Sequence, residues 1–331
     1  MQDVIREYLK QAKIGRKQSY RNLAIFPILS PYAAAVEYIL LDQALTEELI
    51  QIVEVDESGS VPDLRVVNRS TKKVLILDGE ELVGAKQNRI VNITILIQAK
   101  STNVIPVSCV EQGRWSYDSP RFHSHKRMMS PGLRAMKSEQ VSRVVRTTGR
   151  YQADQSAIWD EISDKAVRMD AESDSMAMSR IYEKEESRLE DYVNHFRLID
   201  MQVGAVFAIN GKVVGLDSFA KPETCSEVFK KLVQSYALDA IDWFDPKKEH
   251  KVLKGDVTKF LKASDKTEVE SRPSVALGTD YRMTSNKLTG FALALDDQIL
   301  HLSIFERSSR PNETEPVSRI KRYSARRRNR Q

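Results

Sequence analysis

Residues 74–115, VLILDGEELVGAKQNRIVNITILIQAKSTNVIPVSCVEQGRW, combine three apolar runs of strand character with a concentration of ionisable side chains found nowhere else in the chain. The first run, 74–77, closes on Asp78-Gly79, a strong turn dipeptide, and the strand that leaves it carries Glu80 and Glu81 at a sheet edge. The second run, 90–97, is rich in Ile, Val and Thr, and period-two alternation puts Val91, Ile93, Ile95 and Ile97 on one face. Carried backwards, that row receives Arg89 and Gln87. The third run alternates Ile105, Val107 and Cys109, and the next residue in its row is Glu111. Pairing the second and third runs as a hairpin through residues 101–103 sets Val91 opposite Glu111 or Gly113, which gathers Gln87, Arg89, Glu111 and Arg114 at one end of a sheet. Two readings of this polar rim stand side by side. It is a binding or catalytic site, or it is an Arg89–Glu111 pair that satisfies two charges and pins strand register. Cys109, alone in a strand, reads as a small core residue.

Working outward, residues 1–115 are a strand-dominated segment with one amphipathic helix over 3–13 and strands over 23–28, 38–41 and 50–55. A hairpin is expected from 64–67 to 74–77. Residues 116–132 (SYDSPRFHSHKRMMSPG) are too polar for a strand and too broken for a helix, and they form a loop flanking the rim. His123 and His125 in that loop are the histidines best placed for acid–base work beside a carboxylate cluster. A solvated His pair in a basic loop is the competing reading, and an H-x-H without further ligands is a weak metal signal. Residues 133–200 carry helical spacing, divided at Gly149, with a stripe that thins between Met169 and Leu189.

Residues 201–306 return to a mixed pattern. Asn210-Gly211 between two alternating runs is a type I′ hairpin signature, and Pro222 opens a helix with Val228, Leu232, Val233, Tyr236 and Ala240 along one face. Asp217 reads as a cap for that helix. Residues 245–273 read as a charged connector with a short helix at 257–261. A last hairpin turns at Asp296-Asp297, and His301 on its second strand reads as a satisfied core histidine. Strands before and after a helical block give an α+β fold with antiparallel sheet.

The chain has 331 residues, 41% of them hydrophobic, and a net charge of +5. Seven of its cationic residues and no acid fall in residues 319–331, which leaves −2 for the preceding 318. The folded part is therefore not basic. The tail, residues 307–331, lacks apolar periodicity and is expected to be disordered; its Arg319–Arg330 portion is suited to an acidic partner or nucleic acid, or to solubility alone. Two cysteines exclude a disulfide framework, and no window is apolar enough for a membrane span or an N-terminal signal, so a cytoplasmic setting is expected. No metal-ligand set and no Gly-rich phosphate loop of standard spacing is evident.

LDGEELVGAKQNRIVN and IPVSCVEQGRW, with VGAVFAINGKVVGLDSF, SYALDA and ILHLSIFE further on, resemble the domain family named for its association with ADP-ribosylglycohydrolases and rhodanese-type phosphatases. The resemblance spans about 25–305 and implies the company of NAD and ADP-ribose chemistry. Glu80, Gln87, Arg89, Glu111, Arg114 and Trp115 match its polar motifs. One expectation is an enzyme acting on an ADP-ribose or NAD-derived nucleotide. Glu80, Glu111 or His123 then acts as acid or base, Lys86, Gln87, Arg89 and Arg114 hold the ligand, and Trp115 stacks on its base. The alternatives are a non-catalytic nucleotide sensor using the same residues, and a protein interaction module in which the cluster is structural.

Overall fold

The computed structural model describes residues 2–56, 62–247 and 250–307. The Arg319–Arg330 segment and its expected disorder lie outside them. The fold is α+β with mainly antiparallel sheets.

In chain order, α1 (Gln2–Lys10) leads to β1 (Lys13–Ile14), β2 (Gln18–Tyr20) and the buried β3 (Leu23–Leu29). Pro27 lies inside β3 because that strand's outer edge is covered in two pieces. β2 pairs with Leu23–Ile25 and β1 with Ile28–Leu29, so the ladder skips the position where the missing N–H would be felt. Next come β4 (Ile39–Leu40), α2 (Leu41–Thr46), β5 (Ile50–Glu54), β6 (Asp63–Asn68), β7 (Val74–Ile76), β8 (Glu80–Gly84), β9 (Arg89–Val91), β10 (Ile95–Ile97), β11 (Ser101–Cys109) and β12 (Phe122–Met128). The helical block is α3 (Pro131–Thr148), α4 (Gln155–Arg168), α5 (Met178–Lys184) and α6 (Glu186–Asn194). Gly149 ends α3 with φ 73°, the left-handed cap that its sequence position implies. β13 (Gln202–Ile209) and β14 (Lys212–Phe219) form the Asn210-Gly211 hairpin, followed by α7 (Pro222–Asp242), α8 (Lys254–Ser264), β15 (Glu268–Pro273), β16 (Thr279–Thr284), β17 (Leu288–Leu295) and β18 (Gln298–Glu306).

Nine strands make one sheet in the order β1-β3-β13-β14-β18-β17-β16-β15, with β2 also on β3. It unites the N-terminal strands with the C-terminal ones. Its two faces are both covered: Ala24, Phe26 and Val206 pack with Ile5 and Tyr8 of α1 and Phe260 of α8, whereas Ile25, Phe207 and Phe219 pack with Leu232 and Tyr236 of α7. A six-stranded sheet, β12-β8-β9-β11-β6-β5, and a three-stranded one, β10-β7-β4, enclose a separate apolar cluster closed by Val141 and Val145 of α3.

Several local expectations are corrected. Residues 64–67 and 74–77 do not form a hairpin; β6 pairs with β5 and β11, and β7 with β10 and β4. The run 90–97 is two strands in different sheets. Its break at Asn92–Thr94 is fixed by buried polar side chains with partners off the ladder: Asn92 donates to the Tyr151 carbonyl, and Thr94 Oγ1 accepts from the Asp78 N–H. Val91 faces Val107 rather than Glu111 or Gly113. Because that slip is an even number of residues, the same side chains keep the same face. Residues 116–132 contain β12, an edge strand with alternating exposure and a bulge between Ser124 and Met128, which explains its polar sequence. In the stretch 245–273 the short helix expected at 257–261 is part of α8, and β15 is the element the connector reading lacked; Met178, Ile181 and Tyr182 of the thinned stripe in α5 are buried in the core. Among the described residues, no helix is long and apolar enough to cross a membrane.

Gly204 permits a close backbone approach in this sheet, since a Cβ there would stand 2.3 Å from the Asp217 carbonyl oxygen. Gly204→Ala is expected to cost about 1–3 kcal/mol in denaturant unfolding. Gly255→Ala in α8, where a Cβ meets nothing within 4 Å, is expected to add about 0.5–1 kcal/mol.

Candidate functional site

The polar residues divide into three groups. The first is wholly interior. Arg134 of α3 makes a bidentate pair with Asp217 of β14 (Nη1–Oδ2 3.0 Å, Nη2–Oδ1 2.8 Å), while its Nε donates to Asp78 Oδ1 at 3.1 Å. Lys137, one turn on, binds Asp78 and the carbonyls of Val91 and Asn92. Asp217 also accepts from Tyr236 (2.8 Å) and from Ser303. Burial alone would raise its carboxyl, but the Arg134 charge and hydrogen bonds from His301 and Arg134 hold it well below the ordinary range. Asp217 is thus the centre of a network and not a helix cap. His301 completes it, with Nδ1 2.7 Å from Thr94 Oγ1 and Nε2 near both Ser303 Oγ (3.1 Å) and Asp217 Oδ1 (3.4 Å). Ser, His and Asp meet here, but not as a nucleophilic triad. Serine and aspartate share one ring nitrogen while Thr94 takes the other, so Ser303 is not lined up with Asp217 across the ring, and the Thr94 hydroxyl that is so lined up is sealed from any substrate. Burial also keeps this imidazole neutral, and all of these side chains are fully enclosed.

The second group is the rim. The pairing of Cys109 with Arg89, continued past the strand ends, brings Gln87 to Glu111, and Gln87 Nε2 donates to the Glu111 carbonyl at 2.9 Å. Gln87 Oε1 accepts from Arg89 Nη1 (3.0 Å) and from the Cys109 thiol (3.2 Å). Glu111 does not pair with Arg89. Its Oε2 accepts from Arg114 Nε (3.0 Å) and Nη2 (2.6 Å) and from the Asn88 N–H (3.1 Å). Arg114 spends its other donors on the Ala85 and Ser116 carbonyls and Asn88 Oδ1, so it organises the β8–β9 turn.

Arg89 is different. Its side chain is fully buried, and among the described residues its nearest carboxylate is Glu54 at 3.9 Å and its Nε and Nη2 make no hydrogen bond. Burial lowers its affinity for the proton, with Cys109 and Glu54 opposing that shift. Its guanidinium lies 5.8 Å from the ring of Trp115, which is half exposed. Lys86 Nζ lies 5.4 Å from the same ring and 5.2 Å from that of exposed Tyr117. Cys109 is sealed: burial pushes its thiol up, and Gln155 takes both its backbone N–H (2.8 Å) and its carbonyl (2.7 Å).

Glu80 belongs to a third group. Its side chain leaves the opposite face of β8 from that of Glu81 and pairs with Lys231 of α7, which also binds Asp42 at 2.7 Å. His123 is exposed on β12 opposite Val83. Neither therefore joins the rim. Sequence reasoning passed over Glu54 and Tyr117, and named Glu81 beside Glu80 without giving it a role in the site. Glu81 is fully buried, and among the described residues neither of its oxygens has a hydrogen-bond partner.

The ARG and Rhodanese-Phosphatase-superfamily-associated Protein domain, ARPP-1, matches residues 11–305. The chain belongs to this family. The ARPP-1 match covers the whole rim and the buried network, and the family's description associates it with the ARG and rhodanese-phosphatase superfamilies without naming a reaction. No curated protein and no solved structure matches the chain.

Burial raises the Glu81 carboxyl from 4.5 to about 7, with Arg127 opposing and Glu111 and Glu183 adding to the shift. Between these values the folded state holds a proton that the unfolded state has lost, so stability falls as pH rises through that window. Glu81→Gln removes the decline. Unfolding free energies at pH 5 and pH 8 are expected to change in the variant's favour by about 3 kcal/mol; parallel pH profiles for the two proteins would show that Glu81 does not titrate there.

Proposed function

We propose that the rim binds a nucleotide of the ADP-ribose or NAD type and that the protein acts as a ligand sensor. The observation that carries this reading is Arg89, a buried guanidinium beneath a half-exposed tryptophan whose Nε and Nη2 make no hydrogen bond among the described residues, its ion-pair partner Glu54 standing 3.9 Å off. An unpaired buried donor is expensive to keep, and a phosphate that displaced Trp115 would satisfy both donors in one fork. Trp115 and Tyr117 offer faces for a base, with Lys86 beside them for a second phosphate oxygen. The family's company with the ARG superfamily, read as ADP-ribosylglycohydrolase, points to the same ligand class.

Binding is favoured over turnover because the carboxylates expected to do chemistry are committed. Glu111 is engaged by Arg114 and the Asn88 N–H, and Glu80 by Lys231. A second reading, an enzyme on the same nucleotide, is favoured by Glu81, whose unpartnered carboxyl titrates near neutrality and feels Glu111.

Calorimetry with ADP-ribose and NAD is expected to show binding that weakens about 10-fold or more in Trp115→Ala, the loss of one stacking contact, with the nucleotide recovered intact by chromatography. Hydrolysis abolished by Glu81→Gln would establish the enzyme reading instead. Absence of binding to either nucleotide would remove both.

A further inference from the structure

A cavity of about 350 Å³ opens between β12, α6 and α7, within the range of small-metabolite sites. Its floor is the Asp42–Lys231 pair, held from behind by Glu80. Lys231 directs two of its three N–H donors to these carboxylates, which leaves one donor for the cavity. Asp42 accepts from Lys231 on one oxygen and from Ser124 on the other, and each oxygen keeps a lone pair. Burial alone would raise the Asp42 carboxyl, but Lys231 and Ser124 pull it below its ordinary value, so it is an ionised acceptor. A fixed ammonium donor beside a fixed carboxylate acceptor fits two adjacent hydroxyls: one donates to the carboxylate while its neighbour accepts from the ammonium.

The mouth has a different chemistry. Lys126 and Lys230 line it, both exposed, and neither lies within ion-pair distance of a carboxylate among the described residues. Lys126 stands in the β12 bulge with φ 55°, a left-handed conformation that a side-chain-bearing residue seldom adopts. The bulge takes Lys126 and Arg127 out of the ladder and turns them to the cavity. Glu186 and Glu227 also reach the lining. Their charge disfavours polyanions such as nucleic acid and limits the site to one small anion.

We infer that this cleft binds a phosphorylated polyol, a sugar monophosphate, with vicinal hydroxyls on Asp42 and Lys231 and the phosphate between Lys126 and Lys230. None of these residues belongs to the rim, so the inference is independent of the nucleotide reading.

Titration calorimetry on the full chain with ribose 5-phosphate, ribose and inorganic phosphate tests it. Ribose 5-phosphate is expected to bind at least about 10-fold more tightly than either fragment. The K126A/K230A double variant, altered only at exposed positions, is expected to keep its melting temperature and lose about 10- to 100-fold in ribose 5-phosphate affinity. Asp42→Asn is expected to lose about 10-fold. Three results would overturn the inference: no binding of ribose 5-phosphate at millimolar concentration, inorganic phosphate binding as tightly, or an affinity unchanged in K126A/K230A.

Discussion

The bidentate pair between Arg134 and Asp217 is the constraint on which the remaining structure depends. It joins α3 to the nine-stranded sheet, and through Asp78 the same guanidinium fastens the loop between β7 and β8. A guanidinium with no access to water is tolerable only if its charge and donors are met. Asp78, Asp217 and Ser303 meet them, and the Phe305 ring lies 4.9 Å beneath the cation. These partners come from elements far apart in sequence, so the cage closes only when sheet, helix and small-sheet unit are in their final places. The network is thus a device for specifying docking, whereas the mass of apolar contact around it supplies the driving force.

The same logic separates the satisfied interior charges from those at the rim. Asp217, His301 and Ser303 have every hydrogen-bonding atom engaged and no route to solvent. At the rim, Arg114 and Glu111 satisfy each other, and Arg89 beside them does not find enough partners. The Arg89 donors left without a hydrogen bond beside the half-exposed Trp115 are what the proposed ligand reading rests on. β8 links the rim to the third group: its first residue, Glu80, faces Lys231, and its far end turns into the Lys86–Gln87 segment of the rim.

What could be read from the sequence was mostly local. Asn210-Gly211, the Asp296-Asp297 hairpin, the Gly149 cap and the enclosed His301 follow from short-range turn chemistry and alternation. The gathering of Gln87, Glu111 and Arg114 also came through a wrong register, because an even slip preserves the face of every side chain. The rest required knowledge of distant partners. Lys231 and Asp239 let α7 be buried on nearly all sides, since Glu80 and Asp42 neutralise one and Lys165 (2.6 Å) the other. A single-faced apolar stripe was all that the sequence could show of that helix. Residues 122–128 are polar because β12 is a bulged edge strand, and an edge strand's exposed face carries no core signal. The break in 90–97 depends on hydroxyl and amide partners on β11, β18 and the α3–α4 connection. Such pairings leave no trace in local spacing.

A double-mutant cycle across Arg134→Met and Asp217→Asn, read by denaturant unfolding, tests the keystone role most directly. Each single variant strands a buried charge and is expected to lose about 3–5 kcal/mol, while the double variant recovers enough to give a coupling of about 2 kcal/mol or more. Strictly additive losses, or single variants as stable as the parent, would contradict it.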